Sequence, residues 1–382
     1  MNWLAVILCG ICLASVAHAL LATIHARAWK EEKSPEAESP PLTLLRPIKA
    51  GVPALAEKLA ELARAMRAGD RLVLGVNDGS GDVEVAESVR AAFAEREIVV
   101  VLCRADAALN PKISKLLQMD AAAGGGHLVL SDSEARIDAA WLEAFRREWA
   151  ASGAEVMTCG YRFTGGTSWA QSLDAAPTLL SLWPGLLFVR RFGRIAFTLG
   201  ACTGLRRSDL ASAGGWAAFA DELAEDNRLG AALAKAGKTI RLSQQVAILE
   251  SDPLTWRDYW RHQRRVAVTY RIGNPAGFFG MIFTRSVAAC LALIALAPFH
   301  PGLLLAWCAA IQIARWFFFR ELAKAAGISR ARLFSTMLVS DLVETLCWLL
   351  AWLSPRVWWA GKWWRISRDG NLRSAPYGPR EA

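Results

Sequence analysis

The chain has 382 residues, too many for one minimal domain and enough for a catalytic domain with membrane segments. Hydrophobic residues make up 54% beside 21% charged ones, a surplus for a soluble protein, and that surplus gathers at the two ends. The net charge of +9 forms no basic run interleaved with exposed aromatics, which argues against nucleic acid as partner and for the flanks of membrane segments.

Met1 to Ala26 carries no charged side chain apart from His18 and His25, and Arg27, Lys30 and Lys33 follow it. That length spans the roughly 30 Å hydrocarbon core. Ala17-His18-Ala19 offers a signal-cleavage pattern, but no basic residue precedes the apolar run, so residues 1–26 read as a membrane anchor whose basic end faces the cytosol. Residues 27–41, rich in Glu, Pro and Ser toward their end, read as a linker.

From Leu42 short apolar runs alternate with helical periods. Strands are predicted at Leu42–Ile48, Arg71–Asn77, Ile98–Cys103, His127–Ser131 and Glu155–Tyr161. Helices are predicted near Val52–Arg67 and Val83–Glu95, from Pro111, and at Asp138–Ala150. This alternation implies an α/β domain with a mainly parallel sheet covered on both faces, spanning 42–276. Ligands of such folds lie beyond the carboxyl ends of the strands, which here carry Asp78 and Asp132. Thr178–Val189, ending at Arg190-Arg191, reads as an amphipathic segment on a membrane surface or as a buried core helix. A helix at Ala220–Ala236, a strand at Thr239–Ser243 and a helix around Trp256–Tyr270 follow.

Residues 277–354 read as membrane segments. Gly277–Pro298 and Gly302–Phe319 resemble a helical hairpin with Arg285 and Arg315 inside it; Leu333–Leu353 carries Asp341 and Glu344 one helical turn apart. Those two acids either pair with the arginines or receive a lipid's polar head. The basic, Trp-rich tail 355–382 reads as an interfacial anchor. Three full C-terminal spans would put that tail on the side opposite the catalytic domain, against the positive-inside tendency. The eight cysteines include Cys9 and Cys12 in a C-x-x-C within the anchor, and all eight read as free thiols.

Four segments can carry chemistry. Asp78, ending Leu74-Gly75-Val76-Asn77, can accept hydrogen bonds from a nucleotide's base or ribose, or simply form a solvated turn. Ser131-Asp132-Ser133-Glu134 places two acids where a buried strand emerges, suited to a divalent cation on a diphosphate. Asp226, in Glu225-Asp226-Asn227, is a candidate general base or a helix-dipole partner. Trp260-Arg261-His262-Gln263-Arg264-Arg265 offers donors for a departing diphosphate or for lipid headgroups.

Taken in order, these segments resemble a lipid-directed glycosyltransferase of family 2 type, and more closely the ceramide glucosyltransferase family with its bacterial relatives that glycosylate hopanoid lipids. The resemblance runs from about Leu42 to Arg271 and continues more weakly through the C-terminal spans. Leu45-Arg46-Pro47-Ile48-Lys49 is similar to the family's "KPLKG"-type strand end. Asn110-Pro111-Lys112-Ile113-Ser114-Lys115-Leu116 is similar to its "NPKVSNL" segment. Leu199-Gly200-Ala201-Cys202-Thr203-Gly204, with Arg206-Arg207 and Gly214-Gly215-Trp216, is similar to its glycine-containing loop. The resemblance implies a Rossmann-like A-type glycosyltransferase domain acting on a UDP-sugar with Mg²⁺ or Mn²⁺, and a membrane lipid, ceramide or hopanoid, as acceptor. It implies that Asp78 lies near uracil or ribose, Lys112 near the diphosphate, and Asp132 with Glu134 on the metal. It implies Asp226 as the base, with His262 and Arg265 at the ends of the family's (Q/R/H)-x-x-R-W element and Arg264 assisting. Three positions depart: Val266 stands where the family has Trp, Glu134 where it often has Asp, and Ala63–Asp70 lacks an aromatic-containing connection. Val266 also leaves room for a second class, an inactive sugar-nucleotide- or lipid-binding membrane protein.

Overall fold

The computed structural model describes residues 3–28, 39–104, 106–163, 169–250, 255–296, 301–325 and 328–374. Most of the expected linker and residues 375–382 of the expected tail lie outside them. The chain divides into a sheet unit, Glu31–Arg162 with Arg194–Asp252, and a helical unit, Met1–Lys30 with Phe163–Gly193 and Pro253–Ala382. Residues 163–193 and 253–276, inside the expected 42–276 domain, therefore group with the helices.

After α1 (Trp3–Ala28) the chain enters the sheet unit at β1 (Leu42–Pro47), all six residues of which are buried. It continues through α2 (Leu55–Ala65), β2 (Arg71–Asn77), α3 (Asp82–Ala92), β3 (Glu97–Cys103) and α4 (Pro111–Met119). Then come β4 (His127–Ser131), the short β5 (Ala135–Arg136), α5 (Ala139–Ser152) and β6 (Val156–Phe163). It leaves for the helical unit as α6 (Trp169–Pro177) and α7 (Trp183–Phe192), joined by a π-helical turn where Pro177 lacks the N–H an α-helix needs. It returns as β7 (Cys202–Arg206), α8 (Arg207–Ser212), α9 (Glu225–Lys235) and β8 (Ile240–Leu249).

The eight strands form one sheet in the order β3-β2-β1-β4-β7-β6-β8-β5. Its β3-β2-β1-β4 half is parallel, with Leu45 opposite both Val73 and Leu130, as the buried apolar runs require. The other half is antiparallel at β7, which pairs with both β4 and β6. β7 occupies part of what reads in the sequence as a glycine-containing loop. Gly204 permits it, because a Cβ there would lie 2.7 Å from the Trp149 ring. The core between the sheet and α4 and α9 joins Leu45, Val73, Leu116, Leu130, Leu205 and Leu229. A buried Arg146–Asp70 ion pair (2.6 Å) ties α5 to the start of β2, and Asp70 also accepts the Leu42 N–H that opens β1.

The helical unit continues with α10 (Trp256–Gly273), α11 (Pro275–Gly280), a 3₁₀ turn at Met281–Thr284 and α12 (Val287–Leu296). It ends with α13 (Pro301–Ala325), α14 (Arg330–Leu353) and a small antiparallel sheet of β9 (Arg356–Trp359), β10 (Lys362–Ile366) and β11 (Leu372–Ser374). Among the described residues four helices are long and apolar enough to cross a membrane: Trp3–Ala28, Gln171–Phe192, Pro301–Lys324 and Arg330–Leu353. The segment expected as one apolar helix, Gly277–Pro298, is instead bent by 60° between Thr284 and Val287. Asp341 of α14 causes the break to persist: its Oδ2 accepts the N–H groups of Ser286 (2.9 Å) and Val287 (3.0 Å), capping α12. The two acids of α14 pair as Arg315–Asp341 (2.7 Å) and Arg285–Glu344 (2.6 Å). Within this small sheet Trp358 and Trp363 pack edge-on, and Arg261 of α10 lies 4.2 Å from the centre of the Trp358 ring.

Candidate active site

The site assembles where β4, α4 and α9 meet. Asn110 is buried and caps α4, its Oδ1 accepting the N–H groups of Lys112 (2.8 Å) and Ile113 (3.2 Å), while Pro111 fills the first helical turn. The Asn110 amide donates to Glu222 O (2.8 Å) and to Glu225 Oε2 (3.1 Å), so the start of α4 is tied to the start of α9. On the other side, Arg46 is fully buried on β1 and its Nη2 donates to the carbonyls of Ser133 (3.1 Å) and Ala135, fixing the turn that follows Asp132.

Lys112 Nζ then reaches Asp132 Oδ1 (2.7 Å) and Glu225 Oε1 (3.1 Å). Asp226 accepts from Gly200 N–H through Oδ2 (2.8 Å) and from Asn227 N–H through Oδ1 (2.7 Å). Gly200 sits among them: a Cβ on it would lie 3.1 Å from Asp132 Oδ2, 3.2 Å from Lys112 Nζ and 3.3 Å from Asp226 Oδ2. Gly230 on α9 allows this approach, because a Cβ there would stand 2.2 Å from the Phe197 and Thr198 backbone. The cleft beside Gly200 is floored by Ile113, Leu130, Trp216 and Phe219.

That apolar floor sets the electrostatics. Burial and the neighbouring Glu225 push the Asp226 carboxyl up to about 6, against the pull of Lys112. Burial also raises Asp132, again against Lys112. Burial alone would lower Lys112, but Asp132, Glu225 and Asp226 outweigh it and hold the ammonium firmly charged. Three carboxylates thus share one ammonium, an arrangement with negative charge to spare for a cation or a proton.

The sequence-predicted residues divide into groups. Lys112, Asp132 and Asp226 are brought together. Glu134 is not with Asp132: its carboxylate pairs with Lys49 (2.8 Å), which outweighs burial and holds it below its usual range. Asp78 is exposed at the end of β2, two strands from β4 and so roughly 10 Å away at about 4.8 Å per strand. It lies on the same carboxyl edge, outside the Lys112 cluster. His262, Arg264 and Arg265 stand on α10 of the helical unit. There His262 Nδ1 bonds Asp174 Oδ1 of α6 (3.0 Å), Arg264 Nη2 donates to Ser354 O (3.4 Å), and Arg265 and Val266 are half-buried. Sequence reasoning missed Glu225 as a partner of Lys112, Gly200 as the point of convergence, and Asp174. The adjacency of Glu225 to Asp226 was a usable signal; nothing local marks Asp174. Among the described residues no three His, Cys, Asp or Glu side chains form a ready-made metal cluster.

The sequence profile described as glycosyl transferase family 21 matches residues 5–372. No curated protein matches the chain. Among solved structures, the mannosyltransferase PcManGT from Pyrobaculum calidifontis, in complex with GDP-Man and Mn²⁺, is similar at 16% identity and a TM-score of 0.54, covering 91% of this chain and 99% of that one. S. aureus TarS 1–349, in complex with UDP-GlcNAc, is 15% identical with a TM-score of 0.40, covering 88% of this chain and 99% of that one. The likeness to the mannosyltransferase concerns the fold: a mixed α/β sheet of the A-type glycosyltransferase kind. With nearly its whole length matched, the chain belongs to glycosyl transferase family 21 and is a sugar-transferring enzyme.

Proposed function

We propose that this protein moves a hexose from a UDP-sugar to the hydroxyl of a membrane lipid, most readily ceramide, with hopanoid or polyprenyl phosphate as the alternative acceptor. The observation that carries this reading is the convergence of Lys112, Asp132 and Asp226 on Gly200. Asp226 takes the proton of the acceptor hydroxyl. Each of its oxygens accepts one backbone N–H and keeps a further lone pair for that proton. The acceptor oxygen bonds the anomeric carbon as the bond to the diphosphate oxygen breaks, the electron pair leaves with UDP, and the configuration inverts. Asp78 receives the nucleotide's base or ribose and Lys112 the diphosphate, while His262, Arg264 and Arg265 of α10 offer donors suited to a phosphate group.

Asp132 and Glu225 already gather round a cation, the Lys112 ammonium, and their oxygens suit a hard divalent ion. These two, rather than Asp132 with Glu134, are the residues that would hold Mg²⁺ or Mn²⁺; the Mn²⁺ of the mannosyltransferase favours the same cofactor here. Such an ion would neutralise charge on the departing diphosphate. The basic residues after α1 support a cytosolic sheet unit, in a bacterial inner membrane.

The test is purified protein in lipid nanodiscs with UDP-hexose and ceramide, hopanoid or polyprenyl phosphate supplied separately, followed by mass spectrometry. A hexosylated ceramide of inverted configuration is expected. Absence of product from every lipid, with no UDP released, would overturn the assignment.

A further inference from the structure

Among the described residues five segments have the length and composition of membrane spans if the bent pair counts as one, and the contacts within the helical unit and the chain connections bear on which of them cross. We propose that α1, the broken pair α11–α12 and α13 cross the bilayer, while α6–α7 and α14 lie in the membrane face on the sheet's side and form an apolar platform against the lipid.

The segment Gln171–Phe192 is decided by the sheet. β6 precedes it and β7 follows it, and these strands pair directly, Val156 opposite Leu205. Both ends of the helix return to one sheet, so it does not cross once, and 22 residues do not cross twice.

For α14, both ends can be placed. The segment between α1 and β1 carries Lys30, Glu31, Glu32, Lys33, Glu36 and Glu38, charges that keep it out of hydrocarbon, so the C-terminal end of α1 lies on the sheet's side. α13 runs parallel to α1: Cys12 clusters with Cys308 and Ile311, and Ala19 and Ala22 with Phe319, Leu322 and Ala323. Thr23 Oγ1 donates to Phe318 O (2.7 Å), in the same register. The C-terminal end of α13, and with it the start of α14, is therefore on the sheet's side. At its other end α14 runs through Ser354, whose carbonyl accepts from Arg264 of α10 (3.4 Å), into β9, whose Trp358 lies under Arg261. α10 is itself on the sheet's side, because only Glu250–Thr255 separate it from β8, a reach of roughly 20 Å when extended, short of the ~30 Å core. Its Arg257, Arg261, Arg264, Arg265 and Arg271 occupy its length and keep it out of hydrocarbon.

With both ends on one side, the 24 residues of α14 make no crossing. Its surface agrees. Leu342, Leu346, Leu349 and Leu353 form one exposed stripe at helical spacing, and Ser340, Asp341, Glu344 and Cys347 are buried on the other face. α11–α12 must then cross, since α10 is on the sheet's side and the start of α13 is on the far side. The basic tail returns to the sheet's side, which removes the conflict with the positive-inside tendency.

The test is single cysteines at Gly302, Arg330, Arg373 and, as a marker on α3, Ser88, labelled in sealed vesicles of either orientation with an impermeant maleimide against the parent chain. Gly302 has open space around it, and the other three are exposed. Arg330→Cys and Arg373→Cys are expected to react from the side of Ser88→Cys, and Gly302→Cys from the opposite side only. Spans at α13 and α14 with a re-entrant α11–α12 would exchange the sides of Gly302→Cys and Arg330→Cys. Three C-terminal spans would move Arg373→Cys away from Ser88→Cys. Either pattern overturns the proposal. Trypsin applied to the unmodified chain gives an independent reading: cleavage at Arg330, Arg332 or Arg373 from the far side is equally fatal.

Discussion

Replacing Asp226 by Asn removes the proposed base while keeping its shape, and the structure sets the size of both effects. The ordinary carboxyl value of 3.8 is raised to about 6 in the folded chain. At about 1.36 kcal/mol per tenfold change, that disfavours the ionised form by ~3 kcal/mol. Asn removes this burden. It also turns an amide NH₂ toward Gly200 N–H or Asn227 N–H, leaving one of these donors unmet at about 1–3 kcal/mol. The two effects nearly offset, so Asp226→Asn should unfold within a few degrees of the parent. Catalysis has no such compensation: loss of a general base slows transfer by roughly 10²–10⁴-fold. The assay is UDP release with ceramide in nanodiscs, alongside calorimetric titration of UDP-hexose. Turnover should collapse while donor affinity stays within about threefold, since the proton is taken from the acceptor. Near-normal turnover would refute the base assignment. Loss of donor affinity in parallel with turnover would place Asp226 among the donor-binding groups instead.

The parent enzyme should show kcat/KM rising with pH through about 6 and level above it, because the base acts deprotonated; a flat profile from pH 5 to 8 contradicts this. Gly200→Ala puts a methyl 3.1–3.3 Å from Asp132, Lys112 and Asp226 and should cost roughly tenfold or more in turnover with little change in melting temperature. Asp70→Ala leaves Arg146 buried and unpaired and should destabilise by about 3–5 kcal/mol, read from the urea midpoint. Exchanging the charges of Arg315 and Asp341 should fail to restore stability, because Asp341 also caps α12 through Ser286 and Val287; full recovery in a thermal melt would reduce the pair to simple charge pairing.

The parallel half of the sheet was legible because β1, β2 and β4 are apolar runs buried on both faces, a pattern held in consecutive residues. β7 was not. Its Cys-Thr-Gly-Leu-Arg is too short to show a period, and Gly204 answers to Trp149, about fifty residues away in sequence. Hydropathy marks α13 and α14 alike, because it counts residues and is silent on where a helix's two ends are anchored. At the site, the positions of Asp132 and Asp226 could be read from strand and helix ends, but the pairing of Asp132 with Glu134 could not. Two acids two residues apart share a face only while the strand continues. β4 ends at Ser131, and Ala135 N–H donates to Asp132 O (3.1 Å), so the pair sits in a tight turn. From there Asp132 swings to Lys112 and Glu134 to Lys49. Whether an acid-x-acid triplet binds one ion or two different lysines is therefore decided by where the preceding strand stops, a boundary that sequence periodicity locates less sharply than the two residues at stake.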